Sequence, residues 1–395
     1  MKVFMEGSHA VAEAIKMIKP GVVCAYPITP QTHIVERLSE MVADGALESE
    51  YVNVESEHSA ASVVLGSTAT GVRSYTATSS QGLILMSEVL FNIAGMRLPV
   101  ILTCVNRALS APINIWNDHQ DSMAVRDAGW MQFYAENNQE LHDLHFIAYK
   151  IAENKDIMLP AMVCMDGFIL SHGYEVLDLA IQDQVDKYLP PYKPAYKLDP
   201  KEPLTMGLLG APDVYMETRY AIQKTMDEVL PVIEKEEQEF EKIFGRELPL
   251  LIEEYRLKDA DKVLIAMGSI CGTIKDAVDG LRERGEKVGL LKIVCYRPFP
   301  ANKIYEALKR VKKIGVVDKA ISLGSSGPLH LEVAALMQSK REAQPISGFI
   351  AGLGGRDIRP KTIVKIFNLM DREPQSARFI DLNKWYKEES AIMVS

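Results

Sequence analysis

Two regions of this 395-residue chain alternate short apolar runs with stretches whose apolar residues recur at helical spacing. That alternation restricts the fold more than any other feature. In the first region, "AVAEAIKMI" has helical spacing and "GVVCAYP" follows as a short strand. Helix "HIVERLSEMVA", strand "EYVNV", helix "EHSAASVVLGSTAT", strand "RSYTAT", helix "QGLILMSEVLFNIAG" and strand "LPVILTCV" come next. A loop over residues 110–127 precedes helix "NQELHDLHFIAYKIAE" and strand "LPAMVCMD". Alternation with short connections predicts a doubly wound parallel sheet, because parallel neighbours need helical crossovers that cover both faces. Ligands of such sheets bind in the crevice beyond the carboxyl ends of the strands.

From about residue 185 the pattern stops. "YLPPYKPAYKLDPKEP" is proline-rich and extended, as a surface wrap would be, and a charged helix follows over roughly residues 215–244. Its "EKEEQEFEKIFGRE" reads as a solvated face, with a docking surface as the sharper alternative. Alternation resumes near residue 260 with strand "KVLIAMG", helix "TIKDAVDGLRERG", strand "KVGLLKIV", the stretch "YRPFP", helix "ANKIYEALKRV" and strand "KIGVVDK". The expected class is α/β, with a first doubly wound domain over 1–184, a wrap and long helix over 185–259, and a second α/β domain over 260–395.

Bulk composition removes several classes of function. Net charge is −9, from 44 Lys and Arg against 53 Asp and Glu, and no dense basic block relieves it. Nucleic acid is therefore not an expected partner, since phosphate binding needs a concentrated basic patch. The most hydrophobic segment, "GLILMSEVLFNIAGMRLPVILTCV", is interrupted by Ser87, Glu88, Asn92, Arg97 and Pro99, so it reads as a buried helix and strand and not as a membrane span. "MKVFMEGSHA" meets charge before an apolar core could form and does not read as a signal peptide. The five cysteines are scattered singly, without CxxC, so the chain encodes no ligand set for zinc or an iron–sulfur cluster. Reduced thiols in a cytoplasmic protein are expected.

Three strand ends carry candidate chemistry. In "CAYPITPQTH", prolines 27 and 30 stiffen the loop, and Thr29, preceding a proline, is pushed toward extended geometry. It is either a rigid turn capping the helix near Gln31 or a hydroxyl held at the mouth of the sheet. "VNVESEHSAAS" offers Glu55 and Glu57, which strand alternation puts on one face; a carboxylate here either caps the next helix or serves a ligand. Arg107 stands just past a buried strand in "LTCVNRALSAPINIWNDHQD", suited to bidentate capture of a carboxylate or to pairing with Asp118 or Asp121. "NDHQD" lacks a second histidine at ligand spacing, so no metal is expected on this chain. "FIAGLGGRD" is GxGG without the third spaced glycine and reads as a tight turn.

Taken together, "YPITP", "VESEHSA", "TSSQGL", "VNRALSAP", "NDHQD", "RDAGWMQFYAENNQE", "YRPFP" and "GLGGRD" resemble the alpha subunits of multi-subunit pyruvate:ferredoxin oxidoreductases, within the thiamine-diphosphate-dependent 2-oxoacid:ferredoxin oxidoreductase family. The likeness runs nearly the full length and in order. It implies a pyrimidine-binding domain followed by a transketolase-C-terminal-like domain. The implied activity is reversible oxidative decarboxylation of pyruvate with coenzyme A to acetyl-CoA and carbon dioxide, with electrons passed to ferredoxin. By the resemblance, Glu57 is the carboxylate facing the aminopyrimidine of thiamine diphosphate, with Tyr26, Pro27 and Thr29 also at the cofactor. Arg107 and Thr29 would hold the substrate carboxylate. Mg²⁺ and [4Fe–4S] clusters are expected on beta, gamma and delta partner subunits, in line with the missing GDG and CxxC motifs. A branched-chain enzyme for 2-oxoisovalerate and a non-catalytic scaffold subunit are the alternatives.

Overall fold

In the computed structural model, which describes residues 2–383, the apolar runs are strands and the helix-spaced stretches are helices. Along the chain the strands are β1 (Lys2–Glu6), β2 (Val22–Cys24), β3 (Glu50–Val52), β4 (Ser74–Thr78), β5 (Ile101–Asn106), β6 (Met131–Tyr134), β7 (Ala161–Asp166) and β8 (Tyr174–Asp178). They continue as β9 (Ile252–Tyr255), β10 (Lys262–Ala266), β11 (Val288–Ile293), β12 (Cys295–Arg297), β13 (Lys313–Asp318), β14 (Ile346–Ile350) and β15 (Arg378–Phe379).

Two compact units result. The first comprises the chain up to Glu253 together with Met267–Ser269 and Ile293–Pro300; the second comprises Glu254–Ala266, Ile270–Lys292 and the chain from Ala301 onward. The first unit is built on a seven-stranded sheet in the order β12-β6-β7-β5-β4-β2-β3. Strands β3, β2, β4, β5, β7 and β6 run parallel, and β12 pairs antiparallel with β6 at the edge. Every residue of β4, β5, β6 and β7 is buried, as expected where helices cover both faces of a parallel sheet.

Helix Asn138–Ala152 shows how the unit is closed. Its cap is Asn137, whose side chain accepts from the Glu140 amide at 2.9 Å, and Leu141, Leu144, Phe146, Ile147, Tyr149 and Ile151 are all buried. The long helix Pro212–Phe244 opens on a proline, whose missing N–H costs nothing at a first turn, and buries Val229, Ile233, Phe240 and Phe244 in the same core. Its charged residues mostly face outward, while Glu236 is buried. A separate antiparallel pair joins β1 to β8.

The second unit carries a six-stranded sheet in the order β15-β14-β13-β10-β11-β9, parallel from β15 through β11. Leu264, Ile274, Val278, Leu290, Phe349 and Phe367 form its core. Among the described residues, no helix is long and apolar enough to cross a membrane.

Sequence pattern and structure differ at a few places. The loop expected over residues 110–127 contains the short helix Gln120–Ala124, and "WMQFY" beyond it is the fully buried strand β6. The expected helix "QGLILMSEVLFNIAG" is two helices, Ser80–Leu85 and Ser87–Gly95, meeting at Met86. "YRPFP" contributes β12, a partner of β6 from a distant part of the chain.

Candidate functional site

Because β2, β3, β4, β5 and β7 are parallel, the loops that follow them gather at one edge of the sheet. The loop after β2 is tied down by Gln31. This fully buried side chain donates from Nε2 to the Ala77 carbonyl of β4 at 2.9 Å, and its Oε1 accepts from the Ile28 amide at 3.3 Å. Gln31 is also the cap position of helix Thr32–Ala43 and makes no capping bond, so Thr29 does not serve as a helix cap. Thr29 is exposed, as are Tyr26 and Pro27, and its hydroxyl bonds to none of the described residues. Pro30 packs over Gly167 at the end of β7, where a Cβ would lie 2.7 Å from the proline ring and 2.6 Å from the Asn106 carbonyl, so the close approach requires glycine.

After β3, Ser56 is the cap of helix Glu57–Ala69 and accepts from the Ser59 amide at 3.2 Å. The strand ends at Val52, so Glu55 and Glu57 do not share a strand face: Glu55 is exposed and Glu57 is buried. Glu55 accepts from the Ser59 hydroxyl, and that bond holds its carboxyl below the usual range. Glu57 turns the other way, against helix Ser80–Leu85. A Cβ on Gly82 would lie 2.6 Å from Glu57 Oε1 and 2.5 Å from Thr78 Oγ1. Glu57 is 7% exposed, and none of the described residues donates to its carboxylate or pairs with it. The Thr78 hydroxyl beside it and the hydroxyl of Ser79, next in the chain, are buried and have no partner among the described residues. Buried polar groups left this way are unusual in a folded protein and ask for a ligand or water.

Arg107 leaves the end of β5 with a guanidinium fixed by main-chain oxygens. Nη1 donates to the Thr29 carbonyl at 2.9 Å and Nε to the Asn114 carbonyl at 2.7 Å. None of the described carboxylates pairs with it, and it is 7% exposed. Burial lowers its pKa from the ordinary arginine value, partly opposed by the charge of Asp121. A cation oriented by neutral oxygens keeps its field and its remaining N–H groups for an anion.

Asp121 does not pair with that guanidinium. It is fully buried, and its Oδ2 accepts from the Arg107 amide at 3.0 Å and the Ser80 amide at 2.9 Å. Oδ1 accepts from Asn106 Nδ2 at 2.8 Å and the Ser122 amide at 2.7 Å. Burial pushes the Asp121 carboxyl up to about 6, against the opposing pull of those donors. His119 contacts Asp166 at the end of β7, Nε2 to Oδ1 at 2.9 Å. "NDHQD" thus pins strand ends together.

Thr29 and Arg107 are in direct contact, whereas no hydrogen bond or ion pair joins Glu57 to either. Glu57 reaches them through Gly82, Ser80 and Asp121. As supports of the site, Gln31 and Asp121 escape sequence reasoning, because a lone Gln or Asp in a loop carries no local signal of the backbone groups it serves.

A family model described as pyruvate flavodoxin/ferredoxin oxidoreductase, thiamine diphosphate-binding, matches residues 13–238. A second, pyruvate:ferredoxin oxidoreductase core domain II, matches residues 260–363. The pyruvate synthase subunit PorA of Methanosarcina barkeri is 50% identical over 389 residues, covering 97% of each chain. That of Methanothermobacter thermautotrophicus is 48% identical over 386 residues, covering 98% of each. The ketoisovalerate oxidoreductase subunit VorA of Pyrococcus horikoshii is 43% identical over 387 residues, again 98% of each. Among solved structures, the 2-oxoglutarate:ferredoxin oxidoreductase of Magnetococcus marinus superposes with a TM-score of 0.72 at 17% identity, over 94% of this chain and 65% of that one. A split-gene transketolase gives 0.55 at 11% identity, over 93% and 98%. These two establish a shared fold. On the family models and the full-length relatives, the chain belongs to the pyruvate flavodoxin/ferredoxin oxidoreductase family.

Proposed function

We propose that this chain is the alpha-type subunit of a pyruvate:ferredoxin oxidoreductase. The complex converts pyruvate and coenzyme A to acetyl-CoA and carbon dioxide, passing electrons singly to ferredoxin, and runs reversibly. The relatives named as pyruvate synthase subunits support the substrate, at 48–50% identity over nearly the whole chain. The observation that carries the site reading is Arg107, a buried cation held by two carbonyl oxygens and neutralised by none of the described carboxylates.

The residues present fit an aminopyrimidine. Glu57 is a buried carboxylate without a partner among the described residues, and Gly82, where a Cβ would lie 2.6 Å from its Oε1, lets that carboxylate close against helix Ser80–Leu85. When bound, thiamine diphosphate supplies a nucleophilic carbon and an electron sink. Glu57 holds a proton at the pyrimidine ring nitrogen and lets it exchange, an acid–base role that suits a carboxylate shielded from water. Tyr26, Pro27 and Thr29 border the same cofactor. Arg107 receives the substrate carboxylate while the Thr29 hydroxyl, free of other bonds, turns to it. An arginine–carboxylate hydrogen bond contributes roughly 1.5–3 kcal/mol, which positions the acid. A second cation would stabilise the ground state of a group that must leave as carbon dioxide.

This chain supplies one side of the site. Beta, gamma and delta subunits complete it, with Mg²⁺ at the diphosphate and [4Fe–4S] clusters for the electrons, in a cytoplasmic complex. A branched 2-oxoacid enzyme is the second reading, favoured by the VorA relative at 43% identity. Assaying the purified complex with pyruvate and 2-oxoisovalerate under coenzyme A and ferredoxin separates the two. Higher kcat/KM on the branched acid would replace pyruvate, and a complex inert on both acids would leave only the scaffold reading.

A further inference from the structure

We infer that Asp121 is a positioning residue that couples the two halves of the candidate site. One oxygen, Oδ2, accepts the Arg107 amide at 3.0 Å and the Ser80 amide at 2.9 Å. The first amide belongs to the arginine proposed to take the substrate carboxylate. The second opens the helix Ser80–Leu85, whose Gly82 supports Glu57. With both on one atom, the arginine and the support of the acid–base carboxylate keep one spacing. The inference deepens the proposed function and rests on it.

Three features distinguish this bond pair from ordinary loop packing. Asp121 is reached by donors from two strand ends, 14 and 41 residues away in sequence. The carboxylate is held from its other side as well, by Asn106 Nδ2 and the Ser122 amide, so it cannot rotate to follow one loop without losing a partner. Ser80 sits at φ 50°, in the left-handed region, with its hydroxyl on the Ala108 carbonyl at 2.5 Å. The backbone there adopts a conformation that side chains disfavour, and the Asp121 bond keeps it in place. An amide cannot fully replace this carboxylate: an asparagine keeps one acceptor oxygen, so whichever way it turns, one of the two donor pairs meets an N–H group.

The test compares Asp121→Asn with Arg107→Ala in the assembled complex, normalised to folded protein and bound thiamine diphosphate. Misplacement near 1 Å costs on the order of a hundredfold in rate, so Asp121→Asn should raise the pyruvate KM about tenfold and lower kcat on the order of ten- to a hundredfold, with cofactor content retained. A role in stability alone would reduce the yield of complex and leave both constants of the folded fraction unchanged, which overturns the inference. Should Asp121→Asn fail to assemble, Asn106→Ala takes its place: removing one of the two donors on Oδ1 should raise KM severalfold, and an unchanged KM overturns the inference. If Arg107→Ala itself leaves KM and kcat untouched, the substrate-carboxylate reading falls. If Arg107→Ala is impaired and Asp121→Asn is not, the coupling alone is wrong.

Discussion

Arg107 donates to the main-chain oxygen of Thr29 at 2.9 Å, linking the loop after β5 to the loop after β2 through a cation that none of the described acids neutralises. The contact orients the guanidinium before any substrate arrives, so little entropy is lost in aligning it. Replacing Arg107 by alanine should lower kcat/KM for pyruvate about 10- to 100-fold, matching the roughly 1.5–3 kcal/mol of a charged hydrogen bond. Lysine should restore little, since one ammonium cannot hold the Thr29 and Asn114 carbonyls and a substrate with the geometry of a fork. Steady-state kinetics of the complex check both variants.

Gly82 lies inside a short helix, where alanine is ordinarily better by up to about 1 kcal/mol. Here the added Cβ would lie 2.5 Å from Thr78 Oγ1 and 2.6 Å from Glu57 Oε1. Gly82→Ala should leave a folded, assembled chain whose thiamine diphosphate affinity and kcat both drop at least tenfold. Cofactor titration of the apo complex reads this, and wild-type affinity would mean that Glu57 does not face the cofactor.

A buried ion pair offers a stability test remote from the site. Arg246 holds Asp143 with two bonds, Nε at 2.7 Å and Nη2 at 2.6 Å, and Asp143 is almost fully buried. Burial alone would raise the Asp143 carboxyl; the bonds from His142 and Arg246 outweigh it and hold the group below its ordinary value. Its stabilisation is therefore present above the unfolded pKa and is lost as pH falls through the lower folded one. Arg246→Ala should cost about 3–5 kcal/mol, because it strands a buried charge. Asp143→Asn added to it should recover part of that loss in a urea unfolding series.

Asp318 behaves in the opposite sense. It accepts the Leu329 and His330 amides at 2.9 and 3.1 Å at the start of helix Pro328–Ser339, yet burial raises its carboxyl to about 7 from an ordinary value of 3.8. A folded pKa above the unfolded one contributes stability that is complete below the unfolded value and disappears as pH rises through the folded one. Unfolding free energy should thus fall between about pH 4 and pH 7, by up to a few kcal/mol, since each tenfold change in proton affinity is worth about 1.4 kcal/mol. Asp318→Asn should flatten that slope, and an unchanged slope would assign it to other groups.

The alternation of strands and helices was legible because short apolar runs and an apolar period of 3.6 are local properties of the sequence. Strand β6 was not, since "WMQFY" is a short run beside a glycine with the polar Gln132 at its centre, and its partner β12 comes from a distant segment. Glu57 and Arg107 stood out as charges at strand ends, and the structure buries both. Their supports were silent for a different reason. Gln31 serves the Ala77 carbonyl 46 residues away, and Asp121 serves the Ser80 amide 41 residues away. Side chains that satisfy a remote backbone group leave no pattern around themselves, and only the fold brings the two together.

In the proposed function, the carboxylate of Glu57 controls the proton traffic of the bound cofactor. The direct measurement is the exchange rate of the thiazolium C2 proton with deuterated solvent, followed by NMR on the quenched complex, for wild type and Glu57→Gln at equal cofactor occupancy. General acid–base catalysis contributes about 10²–10⁴-fold, so the variant should exchange at least about a hundredfold more slowly. Exchange at the wild-type rate would remove Glu57 from that role.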